Sequence, residues 1–166
     1  MAQQLVAIIH PPVCKGINKV SANELNGYCF EDLSIGMTAS FGKTLTEADV
    51  LMFAGVSGDI NPSHINEEFA KTTRMKTRVV HGMLSASLIS AVLGVKLPGP
   101  GCLYVNQTSN FRAPVFIGET VTARATVTRL DDRRNFVELE TICEVDGKTV
   151  VDGTALTWVP SRKKSK

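Results

Sequence analysis

Residues 58–94 read GDINPSHINEEFAKTTRMKTRVVHGMLSASLISAVLG, and this stretch decides the fold. A polar turn opens it, a charged segment follows, and a run of apolar and small residues ends it. Residues 82–95 contain no charged side chain. A helix that is apolar on nearly every face is normally buried inside a domain. We therefore expect a buried central helix over residues 82–95, and we expect the polar turn in front of it to be an active site.

The bulk composition predicts one soluble domain. The chain has 166 residues, 43% of them hydrophobic, and a formal net charge of +2. A chain of this length buries about two-thirds of the surface that its unfolded form exposes. Four basic residues lie within residues 161–166, so the rest of the chain is nearly neutral and no nucleic-acid partner is expected. The longest apolar run is shorter than the ~20 residues that cross a membrane, so no membrane association is expected.

The four cysteines, Cys14, Cys29, Cys102 and Cys143, show no paired spacing. They form no C-x-x-C motif and no pattern of metal ligands, so no resident metal is expected. We interpret them as free thiols in a reducing compartment. The apolar residues 5–9 are too few for the core of a signal peptide, and no basic residue precedes them. A cytoplasmic location is therefore the expectation.

Ahead of the central helix, the pattern predicts one strand and two shorter helices. Residues 37–45 have the composition of a strand. Thr46 is placed to cap the amino end of the first helix, and Gly58 is placed to end it. A second, short helix is predicted over residues 66–72. Residues 73–78 are rich in charge and predict a solvated loop.

Beyond the central helix, the pattern changes to strands. The sequence PGPG at residues 98–101 predicts a stop and a turn. Residues 119–130, ETVTARATVTRL, alternate polar and apolar side chains as a half-buried strand does. The predicted strands here are residues 102–112, 119–130, 136–145 and 149–159. One strand, helices and four antiparallel strands predict an α+β domain whose sheet curls around the central helix.

These patterns divide the chain into three parts. We assign residues 28–160 to the α+β domain. Residues 1–27 have no sustained period and are treated as an irregular amino-terminal extension. Residues 161–166 are treated as a basic disordered tail.

Asp59 and His64 are the candidate acid–base residues of the polar turn. At neutral pH a carboxylate is anionic and an imidazole is near its switching point, so the two groups can share a water molecule and move its proton. Pro62 stiffens the turn, and Asn61 offers a donor and an acceptor that could hold it. Spacing alone leaves an alternative open, in which Asp59 caps the turn and His64 is an ordinary surface residue.

His81 and Gly82 are placed where the central helix begins. Without a side chain at Gly82, backbone N–H groups there can approach a ligand closely. The amino end of a helix favours developing negative charge, such as the enolate oxygen of a thioester. Close packing of the helix on the sheet would also explain Gly82, and a hydrogen-bonded core position would explain His81. Taken with the acid–base pair, they favour proton transfer next to a carbonyl, including the addition or loss of water.

The segments GDINPSH at residues 58–64 and VHGM at residues 80–83 resemble the signature of the MaoC-like (R)-specific enoyl-CoA hydratases. The likeness covers roughly residues 28–160 and includes LPG at residues 97–99 and FRAPV at residues 111–115. This family has the hot-dog fold, in which an antiparallel sheet wraps a long helix. The resemblance implies reversible hydration of trans-2-enoyl-CoA to (R)-3-hydroxyacyl-CoA.

The resemblance also implies roles for individual residues. Asp59 and His64 match the pair that activates water. Gly82 matches the position whose backbone N–H polarises the thioester carbonyl, and His81 is placed with it among the substrate-binding residues. Which member of the pair is the base and which is the acid does not follow from the sequence.

Supporting residues and partners follow from the same likeness. Asn61 and Ser90 match positions that support the pair, although Ser90 could equally be a small residue that allows close packing. The implied protein needs no cofactor, takes acyl-CoA as its substrate and forms a homodimer by joining two sheets. A dehydratase acting on acyl-carrier-protein thioesters, a hot-dog acyl-CoA thioesterase and a non-catalytic acyl-CoA binding module stay open as alternatives.

Some other side chains give weaker indications of a role in substrate binding. Lys96, Arg112 and Arg124 could meet the phosphates of CoA, but solvated cations and surface ion pairs are commoner. Tyr104 and Phe111 are expected in the core rather than on the wall of an acyl pocket.

Overall fold

A five-stranded antiparallel sheet and one long helix form the body of the computed structural model, which describes residues 26–163. The strands are β1 (Thr38–Thr44), β2 (Leu103–Phe111), β3 (Thr120–Asp131), β4 (Phe136–Val145) and β5 (Lys148–Trp158), in the spatial order β1-β3-β4-β5-β2. The helices are α1 (Glu47–Ser57), α2 (Pro62–Ile65), α3 (Glu67–Thr72) and α4 (Gly82–Val95), with a short 3-10 turn at Phe30–Asp32. The predicted α+β, hot-dog arrangement is confirmed.

The helix α4 packs against the sheet through one broad face. That face contains Leu84, Leu88, Ile89, Val92 and Leu93, all of which are buried in the hydrophobic core. At ~1.5 Å per residue the helix is about 20 Å long, which is enough to cross the domain.

The opposite stripe of α4 is open, which corrects the expectation of a helix enclosed on nearly every side. Met83, Ser87, Ser90 and Gly94 follow each other at intervals of three or four residues and are all exposed, with Met83 60% exposed. Residues at this spacing share one face of a helix. A sheet covers only one side of a helix laid across it, so a stripe of apolar and small residues stays uncovered.

Strand β3 shows the alternation that its sequence predicts. Val121, Ala123, Ala125 and Val127 are buried, and the intervening residues are not. Successive side chains of a strand point to opposite faces, so these four face the helix. Two of them are alanines, whose small size lets the α4 backbone lie close to the sheet.

The helix α1 begins and ends where the sequence predicts. The Thr46 side chain accepts a hydrogen bond from the Asp49 backbone N–H, and the Asp49 carboxylate accepts one from the Thr46 backbone N–H. Hydrogen bonds from Thr46, with help from Lys43, lower the pKa of Asp49 to about 2. Gly58 ends the helix with a φ of 77°, in the left-handed region that glycine tolerates best. The chain therefore leaves α1 directly into the polar turn.

The cysteines divide into two kinds. Cys102 and Cys143 are free thiols, as predicted. Cys29 forms a disulfide, which corrects the prediction of a free thiol at that position. A disulfide needs two Cβ atoms about 4 Å apart, and spacing along the sequence does not reveal such proximity. Cys14 lies outside the described residues.

The two ends of the predicted domain meet each other. Arg162 donates to the Asp32 carboxylate at 2.5 and 2.7 Å, and its backbone N–H donates to Glu31 at 3.1 Å. The start of the predicted tail is therefore anchored on the 3-10 turn. Residues 1–25 of the predicted extension and 164–166 of the tail lie outside the described part of the chain. Among residues 26–163, no helix is long and apolar enough to cross a membrane.

Two strand glycines give a matched test of the sheet. A methyl group at Gly153 in β5 would lie 1.9 Å from the Thr108 carbonyl oxygen, whereas one at Gly42 in β1 would lie 3.6 Å from the Thr122 hydroxyl. We expect Gly153→Ala to lower the free energy of unfolding by about 1–3 kcal/mol or more, because overpacking forces the backbone to move. Gly42→Ala should be neutral or stabilising by up to about 1 kcal/mol. Urea denaturation of both variants checks this, and equal stability of the two would contradict the packing described for β2 and β5.

Candidate active site

The polar turn is organised by its own side chains. The Asp59 carboxylate accepts a hydrogen bond from the Asn61 backbone N–H at 3.2 Å, and the Asn61 side-chain oxygen accepts one from the Ser63 N–H at 3.0 Å. Asn61 thereby caps α2, whose first residue is Pro62. The predicted turn thus ends in a single helical turn, and this helical turn carries His64. Asp59 stabilises the turn in front of α2 without capping the helix, and it lies beside His64.

His64 is held by one ring nitrogen. Its Nδ1 lies 2.7 Å from the Val79 carbonyl oxygen. A carbonyl can only accept, so Nδ1 carries the proton and neutral His64 has its lone pair on Nε2. The Val79 backbone is itself fixed, because its N–H donates to the Ser63 carbonyl and the residue forms a β-bridge with Phe116. This arrangement leaves Nε2 available for a proton transfer.

Arg78 secures the segment next to Val79. Its guanidinium donates two hydrogen bonds to Glu47 at 2.7 and 2.8 Å and one to Glu67 at 3.1 Å. The hydrogen bond from Arg78 is the main cause of the lowered pKa of Glu47. One side chain therefore ties the starts of α1 and α3 to the strand segment that holds His64. The sequence predicted only a solvated loop here, because the three partners are far apart along the chain.

Asp59, His64 and His81 meet at one point of the structure. One potential ligand atom from each lies within 4.8 Å of the others. His81 is 1% exposed, and its Nε2 lies 2.9 Å from the Asp59 backbone oxygen. The two imidazole rings are stacked, with centroids 3.9 Å apart and planes inclined at 30°. The predicted acid–base pair is thus brought together, with a buried histidine against it.

This group of three has the side-chain types of a metal site but not its orientation. Two imidazoles that share one metal direct their lone pairs at a common point. Here the rings are face to face, and each uses one nitrogen on a backbone carbonyl. The geometry is better suited to an acid–base pair with a neighbouring ring than to a chelate.

The amino end of α4 opens beside this group. The helix has no side-chain cap, and the His81 carbonyl accepts from the N–H groups of Leu84 and Ser85. Within residues 26–163, the N–H groups of Gly82 and Met83 have no acceptor. Unpaired N–H groups and the helix dipole together favour an anionic oxygen at this position. The predicted role of Gly82 in substrate binding therefore has the required geometry.

A cavity of about 350 Å³ joins the histidine to the helix start. Its lining includes His64, Gly82, Ser85, Phe111 and Arg112. A methyl group at Gly82 would lie 3.0 Å from two atoms of the Phe111 ring, so that ring covers the first turn of the helix. Phe111 is 54% exposed, which corrects its expected place in the core.

A second, larger cavity of about 510 Å³ lies along the open stripe of α4. It is mainly apolar and is lined by residues that include Phe53, Met83, Ser87, Ser90, Tyr104 and Gln107. Ser90 belongs to this cavity, and in the described residues it makes no hydrogen bond to Asn61 or to the acid–base pair. Of the two predicted supporting residues, Asn61 lies in the polar turn and Ser90 lines the larger cavity.

Tyr104 lines the larger cavity, which corrects its expected place in the core. Its hydroxyl donates to Gln107 at 2.5 Å, and Gln107 donates to the buried Thr141 at 3.0 Å. Burial, with a smaller contribution from Cys143, raises the pKa of Tyr104 to about 12. Burial also raises the pKa of the Cys143 thiol to about 12. The polar groups of this wall are therefore uncharged at neutral pH.

The three cations considered for CoA phosphates all have partners. The Lys96 ammonium donates to the Ser40 carbonyl at 2.6 Å. Arg112 pairs with Asp152 at 2.6 Å, and Arg124 lies 4.0 Å from Glu144. Of the three, only Arg112 lines the cavity that contains His64.

Comparison with known proteins identifies the relatives of this chain. A family model described as a MaoC like domain matches residues 33–149. An (R)-specific enoyl-CoA hydratase of Rhodospirillum rubrum is 54% identical over 143 residues, which cover 86% of this chain and 99% of that protein. A 3-hydroxybutyryl-CoA dehydratase of Methylorubrum extorquens is 45% identical, covering 86% of this chain and 90% of that protein. The solved structure of an (R)-hydratase from A. caviae involved in PHA biosynthesis is 40% identical with a TM-score of 0.75, covering 77% of this chain and 98% of that one. The chain belongs to the MaoC-like domain family.

Proposed function

We propose that this protein is a hydro-lyase that reversibly hydrates trans-2-enoyl-CoA to (R)-3-hydroxyacyl-CoA. The observation that carries the proposal is the meeting of Asp59 and His64 next to an uncapped helix start. Reactive atoms of the pair lie within 4.8 Å, and His64 shares a cavity with Gly82. The enoyl-CoA hydratase and 3-hydroxybutyryl-CoA dehydratase among its relatives catalyse the two directions of such a reaction.

The proposed chemistry is an addition across a conjugated double bond. A water molecule held by Asp59 and His64 loses a proton to the pair as its oxygen bonds to C3 of the enoyl group. The electron pair of the double bond moves toward the thioester, whose oxygen becomes anionic beside the Gly82 N–H. The enolate then collapses as C2 takes a proton back from the pair, so one water molecule is added in total and the pair returns to its starting state. The neutral His64 tautomer, with its lone pair on Nε2, is the form that can accept a proton.

We propose that the reaction needs no cofactor and no metal. Addition of water leaves the oxidation level of the substrate and protein together unchanged, so no redox group is required. The negative charge that develops on the thioester oxygen is met by backbone N–H groups. These two features cover the steps for which other enzymes use a cofactor or a metal ion.

We propose that the protein works as a homodimer joined at β2. This strand is at the edge of the sheet and pairs only with β5 among the described strands. Leu103, Val105 and Phe111 expose apolar side chains along it. An exposed apolar edge strand is a template for pairing with another strand. A second copy placed there would also cover the larger cavity, because Tyr104, Val105 and Gln107 line that cavity.

A cytoplasmic location stays a prediction. The free thiols of Cys102 and Cys143 agree with a reducing compartment. The disulfide at Cys29 is more typical of an oxidising one.

Replacing either member of the acid–base pair tests the proposed chemistry. We expect Asp59→Asn and His64→Ala each to lower kcat for hydration of a short enoyl-CoA on the order of 10²–10⁴-fold, because each removes a proton-transfer group. Loss of absorbance of the conjugated thioester measures the rate, and chiral analysis of the product gives its configuration. Asp132→Asn, which changes an exposed carboxylate of a distant turn, should leave kcat unchanged.

Assays with other substrates separate the alternatives. Release of free thiol from a saturated acyl-CoA would indicate a thioesterase. Turnover of acyl-carrier-protein thioesters without turnover of CoA thioesters would indicate the carrier-protein dehydratase. Full hydration activity in Asp59→Asn or His64→Ala would refute the assigned pair.

A methyl group at Gly82 tests the helix start. We expect Gly82→Ala to lower kcat/KM by about tenfold or more, because the new methyl pushes against Phe111 and both groups border the site of the thioester oxygen. Phe111→Leu should remove this clash. Adding Gly82→Ala in the Phe111→Leu background should therefore lower kcat/KM much less. Equal effects of Gly82→Ala in both backgrounds would show that the ring contact is irrelevant. Steady-state kinetics of the four proteins check the coupling.

Charges on the edge strand test the proposed dimer. We expect the double variant Leu103→Lys and Val105→Lys to be a monomer, because lysines on an edge strand oppose strand pairing. The control is Ile35→Lys with Val56→Lys, which changes two exposed apolar residues outside β2. Sedimentation velocity of both variants and the unmodified protein measures the mass. A β2 variant that keeps the dimer mass would place the interface elsewhere.

A further inference from the structure

We propose that His81 is a positioning residue that holds Asp59 and His64 in their reactive arrangement, rather than a group that contacts substrate. This inference rests on the proposed function of the pair. It differs from the prediction made from the sequence, which placed His81 among the substrate-binding residues. Its basis is the set of contacts that one buried ring makes with both members of the pair.

The first contact is to Asp59. The Nε2 of His81 lies 2.9 Å from the Asp59 backbone oxygen, and this carbonyl can only accept, so Nε2 carries a proton. Within the described part of the chain, the other hydrogen bonds of Asp59 join it to Ser57 and Asn61, each two positions away. Those bonds shape the turn but do not attach it to the core. The bond from His81 links the exposed turn to the buried start of α4.

The second contact is to His64. The two rings stack with centroids 3.9 Å apart, and Phe53 lies on His81 with ring centroids 5.0 Å apart. The His64 ring is therefore limited by the Val79 carbonyl at its edge and by the His81 ring at its face. Few rotations of His64 satisfy both constraints. The direction of the His64 Nε2 is therefore set by the packing against His81 as well as by the hydrogen bond to Val79.

The remaining nitrogen of His81, Nδ1, indicates which tautomer the ring adopts. Nδ1 is buried and has no hydrogen-bond partner among residues 26–163. A proton on Nδ1 would create a buried N–H without an acceptor, next to a neighbouring imidazole, which is unfavourable. The geometry therefore favours the His81 tautomer with its proton on Nε2 and its lone pair on Nδ1. A neutral ring can stack on His64 without opposing the charge that His64 gains when it accepts a proton.

Two substitutions separate the two contacts. His81→Phe keeps an aromatic ring against His64 and removes the donor to Asp59. His81→Gln keeps a donor of similar reach and removes the ring. His81→Ala removes both contacts. Val127→Ala, which truncates a buried strand residue outside both cavities, controls for loss of stability alone.

We expect kcat to fall for each His81 variant while KM for the enoyl-CoA stays the same. Small misplacements of reacting groups lower the rate on the order of 10²-fold, so kcat of His81→Ala should fall by about that factor. His81→Phe and His81→Gln should each recover part of the loss. Val127→Ala should keep its kcat despite a lower thermal midpoint. A raised KM with unchanged kcat in the His81 variants would overturn the proposal and assign the residue to substrate binding.

A spectroscopic readout tests the arrangement independently of activity. The chain contains only three histidines, so imidazole ¹⁵N signals can be assigned by substitution. We expect the unmodified protein to show His81 as the Nε2–H tautomer and His64 as the Nδ1–H tautomer. In His81→Ala, His64 should show a mixture of tautomers. Unchanged His64 signals in that variant would overturn the proposal, whereas absence of hydration by the unmodified protein would instead refute the proposed function.

Discussion

The arrangement of this domain depends on how α4 packs against the sheet with its amino end uncapped. The alanines of β3 let the helix lie close, and its broad apolar face closes the core. A helix start in this position would normally satisfy its N–H groups with a capping side chain. Here the capping position is taken by His81, whose ring is used on Asp59 and His64 instead. The helix thus presents unpaired donors to a cavity, and its packing on the sheet keeps them in place.

The local pattern of residues was sufficient to predict most of the fold. The charge-free run predicted α4, alternation predicted β3, and Thr46 with Gly58 predicted the bounds of α1. Each of these signals is local, because capping, helical period and strand period act over a few residues. The open stripe of α4 was missed because residue type does not show which side of an apolar helix the sheet covers. The disulfide at Cys29 was missed for a similar reason, since it depends on proximity in space.

The candidate site was predictable in its residues but not in its connections. Asp59 and His64 are five positions apart, so one turn could bring them together. Val79 could not be recognised, because it contributes a backbone carbonyl and any residue carries one. Arg78 joins α1 and α3, which are remote in sequence, and no periodicity reports such a pairing. Ser90 was expected to support the acid–base pair, or to be a small residue that allows close packing, and it lines the larger cavity along α4.

The wall of the larger cavity carries no ionised side chain at neutral pH. Burial raises the pKa of Tyr104, which lies on this wall, to about 12, and it raises the pKa of Cys143, which is fully buried outside the lining, to about 12 as well. No lining residue of this cavity is charged at neutral pH, so a hydrocarbon chain lying there would not take a charged group out of water. The groove would thus stay uncharged while proton transfer takes place next to it, at the amino end of the same helix.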